Sequence, residues 1–215
     1  MRLIWLLLVS YLLGSYPTAA IVARRVGRFD IFRHGSGNPG TSNIFRLVGL
    51  RWALVVLTVD VLKGYLPLRL SEREMSRIQE SWPGVNSETI KALVGLAAVG
   101  GHVFPLSTGF HGGKGTATLA GVLAGIVPRA SLATLLAYLL TLRASKQFSV
   151  ATLTASLTFP LAVYALEGNR SIASLGWSGL VPLLLMATHR DNIRRLRMGQ
   201  ELKMRESMER TSWQS

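Results

Sequence analysis

The stretch "RLIWLLLVSYLLGSYPTAAIVARR", residues 2–25, decides the fold class. From Leu3 to Ala23 it carries no charged side chain, and its length matches the ~20 residues that a helix needs to cross a hydrocarbon core. A secretory signal peptide is the competing reading, with Arg2 as its basic region and "PTAA" as a small-residue cleavage site. The order of charges favours a membrane span. Arg24, Arg25 and Arg28 follow the apolar run and hold that end in the cytoplasm.

Further apolar runs cover Leu50 to Leu68, Ile90 to Leu106, Thr116 to Val127, Ala130 to Leu142, Phe148 to Leu166 and Ile172 to Ala187. The runs starting at Thr116 and Ala130 are short, and Pro128 and Arg129 between them suit a tight turn joining two helices. The chain is 49% hydrophobic and only 16% charged, yet its net charge is +13, a combination rare in a water-soluble domain of 215 residues. We expect an all-α, polytopic membrane helix bundle of about seven transmembrane helices. There is no internal repeat, and the polar stretches are 24–48, 69–89 and the segment from 188 onward. One membrane domain over residues 1–202 and a polar cytoplasmic tail over 203–215 follow.

With the N-terminus outside, sixteen basic residues fall in inside segments and seven outside, Lys63 lying within a span. The positive-inside rule therefore places the C-terminus in the cytoplasm. The outer segment 69–91 also carries Glu72, Glu74, Glu80 and Glu88, so it is close to neutral. The sequence has no cysteine, which excludes disulfides, a thiol nucleophile and thiolate metal sites. No carboxylate pair or histidine-rich cluster offers a metal site, and no cofactor is expected.

The stretch "GFHGGKGTAT", residues 109–118, sets Gly112, Gly113 and Gly115 around Lys114, with Thr116 opening the next apolar run. Glycines let backbone N–H groups approach an anion, a lysine adds charge, and a following helix presents its positive end. It is not the nucleotide-binding P-loop, whose Gly-Lys pair is followed by Ser or Thr where this chain has Gly115. A plain glycine-rich turn is the other reading of these residues alone.

Two more inside segments have the same character. "HGSGNPGTSNIFR", residues 34–46, packs Gly35, Ser36, Gly37, Asn38 and Asn43 ahead of Arg46, small hydrogen-bonding groups with one forked cation. "HRDNIRRL", residues 189–196, places His189 and Asn192 three apart on a helix face that Arg195 continues. His102 precedes the glycine stretch. Within the second apolar run, "DVLKG" puts Asp60 and Lys63 three apart, either as a structural ion pair or as part of a site. Past Arg190, Ile193, Leu196 and Leu202 could face the membrane or the bundle, and from Lys203 no apolar face persists.

Together these stretches resemble the bacterial acyl-phosphate-dependent glycerol-3-phosphate acyltransferases, integral membrane enzymes of phospholipid synthesis, from about Tyr11 to Glu201. The family's first motif, Gly-Ser-Gly-Asn-x-Gly-Ala-Thr-Asn-x-x-Arg, is kept in "GSGNPGTSNIFR" except at Thr41-Ser42. Its second, Phe-x-Gly-Gly-Lys-Gly-Val-Ala-Thr, is kept in "FHGGKGTAT" except at Thr116. Its third, Arg-His-x-x-Asn-Ile-x-Arg-Leu-x-x-Gly-x-Glu, is kept in "THRDNIRRLRMGQE" except at Thr188, where a cation is lost beside Arg190.

The resemblance implies a catalytic set of Ser36, Arg46, Lys114, His189 and Asn192. Gly35, Gly37, Asn38, Asn43, His102, Gly112, Gly113, Gly115, Thr116 and Arg195 would contact substrate or phosphate. It implies acyl phosphate and glycerol 3-phosphate as substrates, membrane lipids as surroundings, no nucleic acid partner and no metal. The compartment implied is the bacterial inner membrane, with the site facing the cytoplasm. A transporter or binding protein for an organic phosphate explains the helices and glycines equally well. Against it, no pair of broken helices recurs in two matching halves.

Overall fold

The structure, a computed structural model of the chain, describes residues 1–168 and 172–204. All but two residues of the tail expected over 203–215 lie outside that range. Ten α-helices and no strand are present among the described residues. They are α1 (Arg2–Gly14), α2 (Thr18–Val22), α3 (Thr41–Leu47), α4 (Leu50–Ser81), α5 (Ser87–Val103), α6 (Thr116–Ile126), α7 (Pro128–Ser145), α8 (Phe148–Leu166), α9 (Ile172–Thr188) and α10 (Arg190–Arg197). They form two compact units, Met1–Ile126 and the chain from Val127 onward. Among the described residues, three helical stretches are long and apolar enough to cross a membrane: Arg2–Gly27, Ser87–Thr108 and Phe148–Leu166. The 11 residues of α6 reach only roughly 17 Å, about half a hydrocarbon core.

In the first unit α1 packs on α5, α4 packs on α6, and α1 and α5 both pack on α4. Two crossings depend on paired glycines. A Cβ on Gly14 would stand 2.0 Å from the Ala98 carbonyl oxygen, and one on Gly101 would stand 2.1 Å from that of Tyr11. The α4–α6 crossing repeats the arrangement, with Gly64 against Thr118 at 1.9 Å and Gly121 against Val61 at 2.0 Å. Lipid supplies no hydrophobic drive for helices to associate, so close backbone approach through small residues carries the packing. Beside these crossings Ala19, Val22, Ala23, Ile31, Ile44, Ala53 and Val56 form a buried apolar cluster.

The first apolar run is not one regular helix. It breaks between Gly14 and Thr18, because the ring of Pro17 clashes with the preceding turn and has no N–H to continue the ladder. In contrast, α4 continues to Ser81 through much of the polar stretch expected to connect spans. Its inward positions Leu68, Ser71 and Ile78 remain buried at helical spacing. Its outer face carries the ion pairs Arg69–Glu72 at 2.8 Å and Arg77–Glu74 at 3.4 Å. Lys91 of α5 reaches Glu72 at 3.0 Å, and Arg2 of α1 reaches Glu74 at 2.8 Å.

In the second unit α7 and α8 form an antiparallel hairpin. Pro128 occupies the first turn of α7, Lys146 ends it in the left-handed region at φ 56°, and Gln147 leads into α8. The Glu167 carboxylate closes the far end by accepting from the Ala130 N–H at 2.9 Å. α9 packs on α8, and α10 packs on α9. Leu132, Leu136 and Leu140 of α7, Leu157 and Leu161 of α8, and Leu183 of α9 are all exposed. Apolar surface of this extent on paired helices requires hydrocarbon as its solvent.

Candidate functional site

The first motif lies in a loop that Asn43 holds in shape. Thr41–Leu47 is helical, so Asn43 and Arg46 sit one turn apart on α3, and both are buried. The Asn43 carboxamide oxygen accepts from the Ser36 N–H at 3.0 Å, and its Nδ2 donates to the His34 carbonyl at 3.0 Å. Ser36 Oγ accepts from the Asn38 N–H at 3.4 Å. Gly35 and Gly37 have φ +62° and +69°, a region where a Cβ is strained, and at Gly35 a Cβ would also meet Asn43 Oδ1. The loop is thus built around one buried amide, with the Ser36 hydroxyl half-buried beside it.

The glycine stretch folds back on the end of α5. The Gly113 N–H donates to the His102 carbonyl at 3.1 Å, and Thr108 Oγ1 donates to the His111 carbonyl at 2.7 Å. A Cβ on Gly112 would lie 2.2 Å from the His102 carbonyl, and one on Gly113 would lie 2.2 Å from His102 Nε2. These two glycines are therefore required for packing against α5. Gly115, at φ +76°, turns the chain into α6, whose first residue is Thr116. Lys114 is half-buried between them.

The first two motifs and "DVLKG" meet. The Pro39 carbonyl oxygen stands 3.1 Å from the position of a Gly113 Cβ. Asp60 and Lys63 form an almost fully buried ion pair at 2.7 Å, and His102 Nδ1 lies 4.0 Å from Asp60 Oδ1. Lys63 Nζ also donates to the Tyr16 carbonyl, exposed by the break before Pro17. Tyr16, Thr18, Asp60, Lys63, His102 and Gly113 line a cavity of ≈ 20 Å³, room for about one water molecule. Thr18 Oγ1, buried there, has no hydrogen-bond partner among the described residues.

The third motif belongs to the second unit. His189 is the residue before α10, at φ −104° and ψ 14°, and its carbonyl accepts the first bond of that helix from the Ile193 N–H at 2.9 Å. Asn192, three residues on, is buried as His189 is, in keeping with the shared side that the spacing predicts. His189 is buried, and its Nδ1 lies 2.8 Å from the Leu185 carbonyl oxygen. A carbonyl only accepts, so Nδ1 carries the proton and Nε2 is the nitrogen able to take one. Thr188, in place of the family arginine, is 3.3 Å from the same Nδ1. Arg190 is exposed.

Glu201 is the residue that the sequence reading passed over. It is buried, and its two carboxylate oxygens are divided between Asn192 Nδ2 and Arg195 Nε, the latter at 2.9 Å. It folds the segment after α10 back over that helix, and Gln147 Nε2 donates to its carbonyl at 3.4 Å. The signal was available, since Glu201 is the last letter of the third motif. We expect Glu201→Ala to cost about 1–3 kcal/mol by removing a buried carboxylate that accepts from Asn192 and Arg195, and Glu201→Gln to cost less. Apparent unfolding midpoints in detergent, measured beside turnover, check this.

A helical membrane chain with buried cations beside glycine loops defines a class, the multi-pass membrane enzymes that handle anionic substrates. The family model for glycerol-3-phosphate acyltransferase matches residues 4–199. A glycerol-3-phosphate acyltransferase of Chlorobium luteolum is 38% identical, covering 94% of this chain and 96% of its own length. One of Pseudomonas paraeruginosa is 39% identical, covering 93% and 98%. The crystal structure of PlsY, an integral membrane glycerol 3-phosphate acyltransferase, in its glycerol 3-phosphate form matches with a TM-score of 0.81 at 30% identity, covering 94% of this chain and 96% of that one. Its lysophosphatidic acid form matches with a TM-score of 0.77. The chain belongs to the glycerol-3-phosphate acyltransferase family. It is an acyltransferase, and the transporter reading gives way to that of an enzyme.

Proposed function

We propose that the chain moves an acyl group from an acyl phosphate to the 1-hydroxyl of glycerol 3-phosphate, giving 1-acyl-glycerol 3-phosphate and phosphate. The observation that carries the reading is the meeting of the Ser36 loop with the glycine loop, each ending in a cation, Arg46 or Lys114. Two phosphate-bearing substrates repel each other, and two cationic, donor-rich loops offset that repulsion. Incubating pure protein with glycerol 3-phosphate and either an acyl phosphate or an acyl-coenzyme A tests it. Product from acyl-coenzyme A alone would remove the proposed donor.

Lys114 and the glycine loop hold the glycerol phosphate, and Ser36 and Arg46 hold and polarise the acyl phosphate. The glycerol oxygen attacks the carbonyl carbon, the bond from that carbon to the phosphate oxygen breaks, and inorganic phosphate leaves. The hydroxyl proton goes either to a phosphate oxygen of the acyl phosphate or to His189 Nε2. We assign His189 and Asn192 chiefly to positioning. Gly35, Gly37, Asn38, Asn43, His102, Gly112, Gly113, Gly115, Thr116 and Arg195 form or support the phosphate contacts.

Transfer is direct. An activated serine needs an adjacent base, and among the described residues Ser36 Oγ has only the Asn38 N–H as a partner. The donor is already an anhydride, so an acyl-enzyme gains little reactivity. Radiolabelled acyl phosphate given without glycerol phosphate should leave no hydroxylamine-sensitive label on the denatured chain. A stoichiometric label absent from Ser36→Ala and discharged by glycerol phosphate would overturn this.

We further propose seven membrane crossings in the bacterial inner membrane, one membrane domain over 1–202, the N-terminus outside, and the motif loops and C-terminal tail in the cytoplasm. Arg28, His111 and Gln200 are exposed, and the chain has no cysteine. Single cysteines at these positions should resist a membrane-impermeant thiol reagent in intact cells and react after lysis. Labelling of any one from outside would refute the topology.

A further inference from the structure

The second face of α10 is unused by the reaction. Asn192 and Arg195 turn toward Glu201, while Arg190, Arg194 and Arg197 are exposed along one stripe at spacings of four and three. None of the three makes an ion pair among the described residues. Together with Met186, Ile193 and Met198 they line a groove of ≈ 560 Å³ between the end of α9 and α10. Asp191, the acid nearest in sequence, is exposed but does not line the groove.

We propose that this groove binds the headgroup of an anionic phospholipid of the surrounding bilayer. Three observations converge on that occupant. The guanidinium forks match phosphate oxygens two at a time, and an isolated stripe of them is a site for an anion. The groove's apolar wall is Met186, Ile193 and Met198, suited to acyl chains and not to a small hydrated anion. That wall continues from α9, whose Leu180 and Leu183 are exposed and face hydrocarbon in a membrane protein, so the arginines begin where the apolar surface ends. Clustered arginines beside a membrane helix bind anionic lipid through summed attraction. The occupant is thus a lipid of the leaflet in contact with α10, distinct from either substrate of the proposed reaction.

Purified full-length protein equilibrated in mixed micelles of phosphatidylglycerol and phosphatidylcholine tests the site, with retained lipid counted by native mass spectrometry. Wild type should enrich phosphatidylglycerol on the order of tenfold over the mixture. Arg190→Gln/Arg194→Gln/Arg197→Gln should bring the ratio to about one, and Arg194→Gln and Arg197→Gln singly should each lower it severalfold. The single variants keep the test decisive if the triple one does not fold. Millimolar inorganic phosphate should leave the ratio unchanged. No enrichment by wild type, enrichment that persists in all the variants, displacement by inorganic phosphate, or capture of a short RNA in place of lipid would each overturn the assignment. Turnover is measured separately, so loss of lipid binding and failure of the acyl-transfer reading are told apart.

Discussion

Lys63→Ala should lower stability by about 3–5 kcal/mol, because it strips the partner from a buried carboxylate. Asp60 and Lys63 have side chains only 3% and 6% exposed, so neither charge is screened by solvent. The lysine also donates to the Tyr16 carbonyl at the break before Pro17. Its removal therefore leaves an unpaired anion and loosens the junction of α1 and α2 in one step. Asp60→Asn alone should cost less, since the amide oxygen can still accept from Lys63 Nζ, which also keeps its bond to the Tyr16 carbonyl. The pair Asp60→Asn/Lys63→Ala should cost less than the two single losses added, the coupling expected of groups in contact. Unfolding midpoints of all four proteins in one detergent read this out. A loss under about 1 kcal/mol for Lys63→Ala would mean that the pair is not the strut described.

Lys114→Ala should lower kcat/KM for glycerol 3-phosphate by about 10²–10³-fold, the scale of losing a charged donor to a phosphate-bearing transition state. Lys114 is half-buried on the glycine loop, and Gly112, Gly113 and the His102 carbonyl set that loop's packing against α5. The unfolding midpoint should accordingly stay within experimental error of wild type. Lys114→Arg should recover only part of the rate, because a planar fork does not occupy the space of a compact ammonium. Wild-type kinetics for the alanine variant at subsaturating substrate would remove Lys114 from the site. The two predictions separate cleanly, since Lys63 should act on folding and Lys114 on turnover.

Local rules made the helical membrane class legible, because apolar runs of span length and the placement of arginines act over a few residues at a time. The Pro128 turn was legible for the same reason, as was the concentration of donors and cations in three short stretches. The membrane face could be read from composition, since leucines on α7 and α8 have no other solvent to suit them. The proline at position 17 also stood in the sequence, but the length of the run hid the break it causes.

Other features needed partners distant in sequence. The extent of α4 depends on Ile78 finding a buried place and on Glu72 and Glu74 finding Lys91 and Arg2. The glycines that looked like an anion cradle are also notches, and only the approach of α5 to Gly112 and Gly113 shows it. Asn43 could be counted as one more polar loop residue until its amide was seen to bond Ser36 and His34. Glu201 stood in the third motif without a role until it met Asn192 and Arg195. The sequence by itself determined the kind of chain and the residue types at hand, through propensity and periodicity that each short segment carries alone. Tertiary structure decided which of those residues hold the scaffold, because a buried hydrogen bond or ion pair takes its value from a partner whose position the folded chain sets.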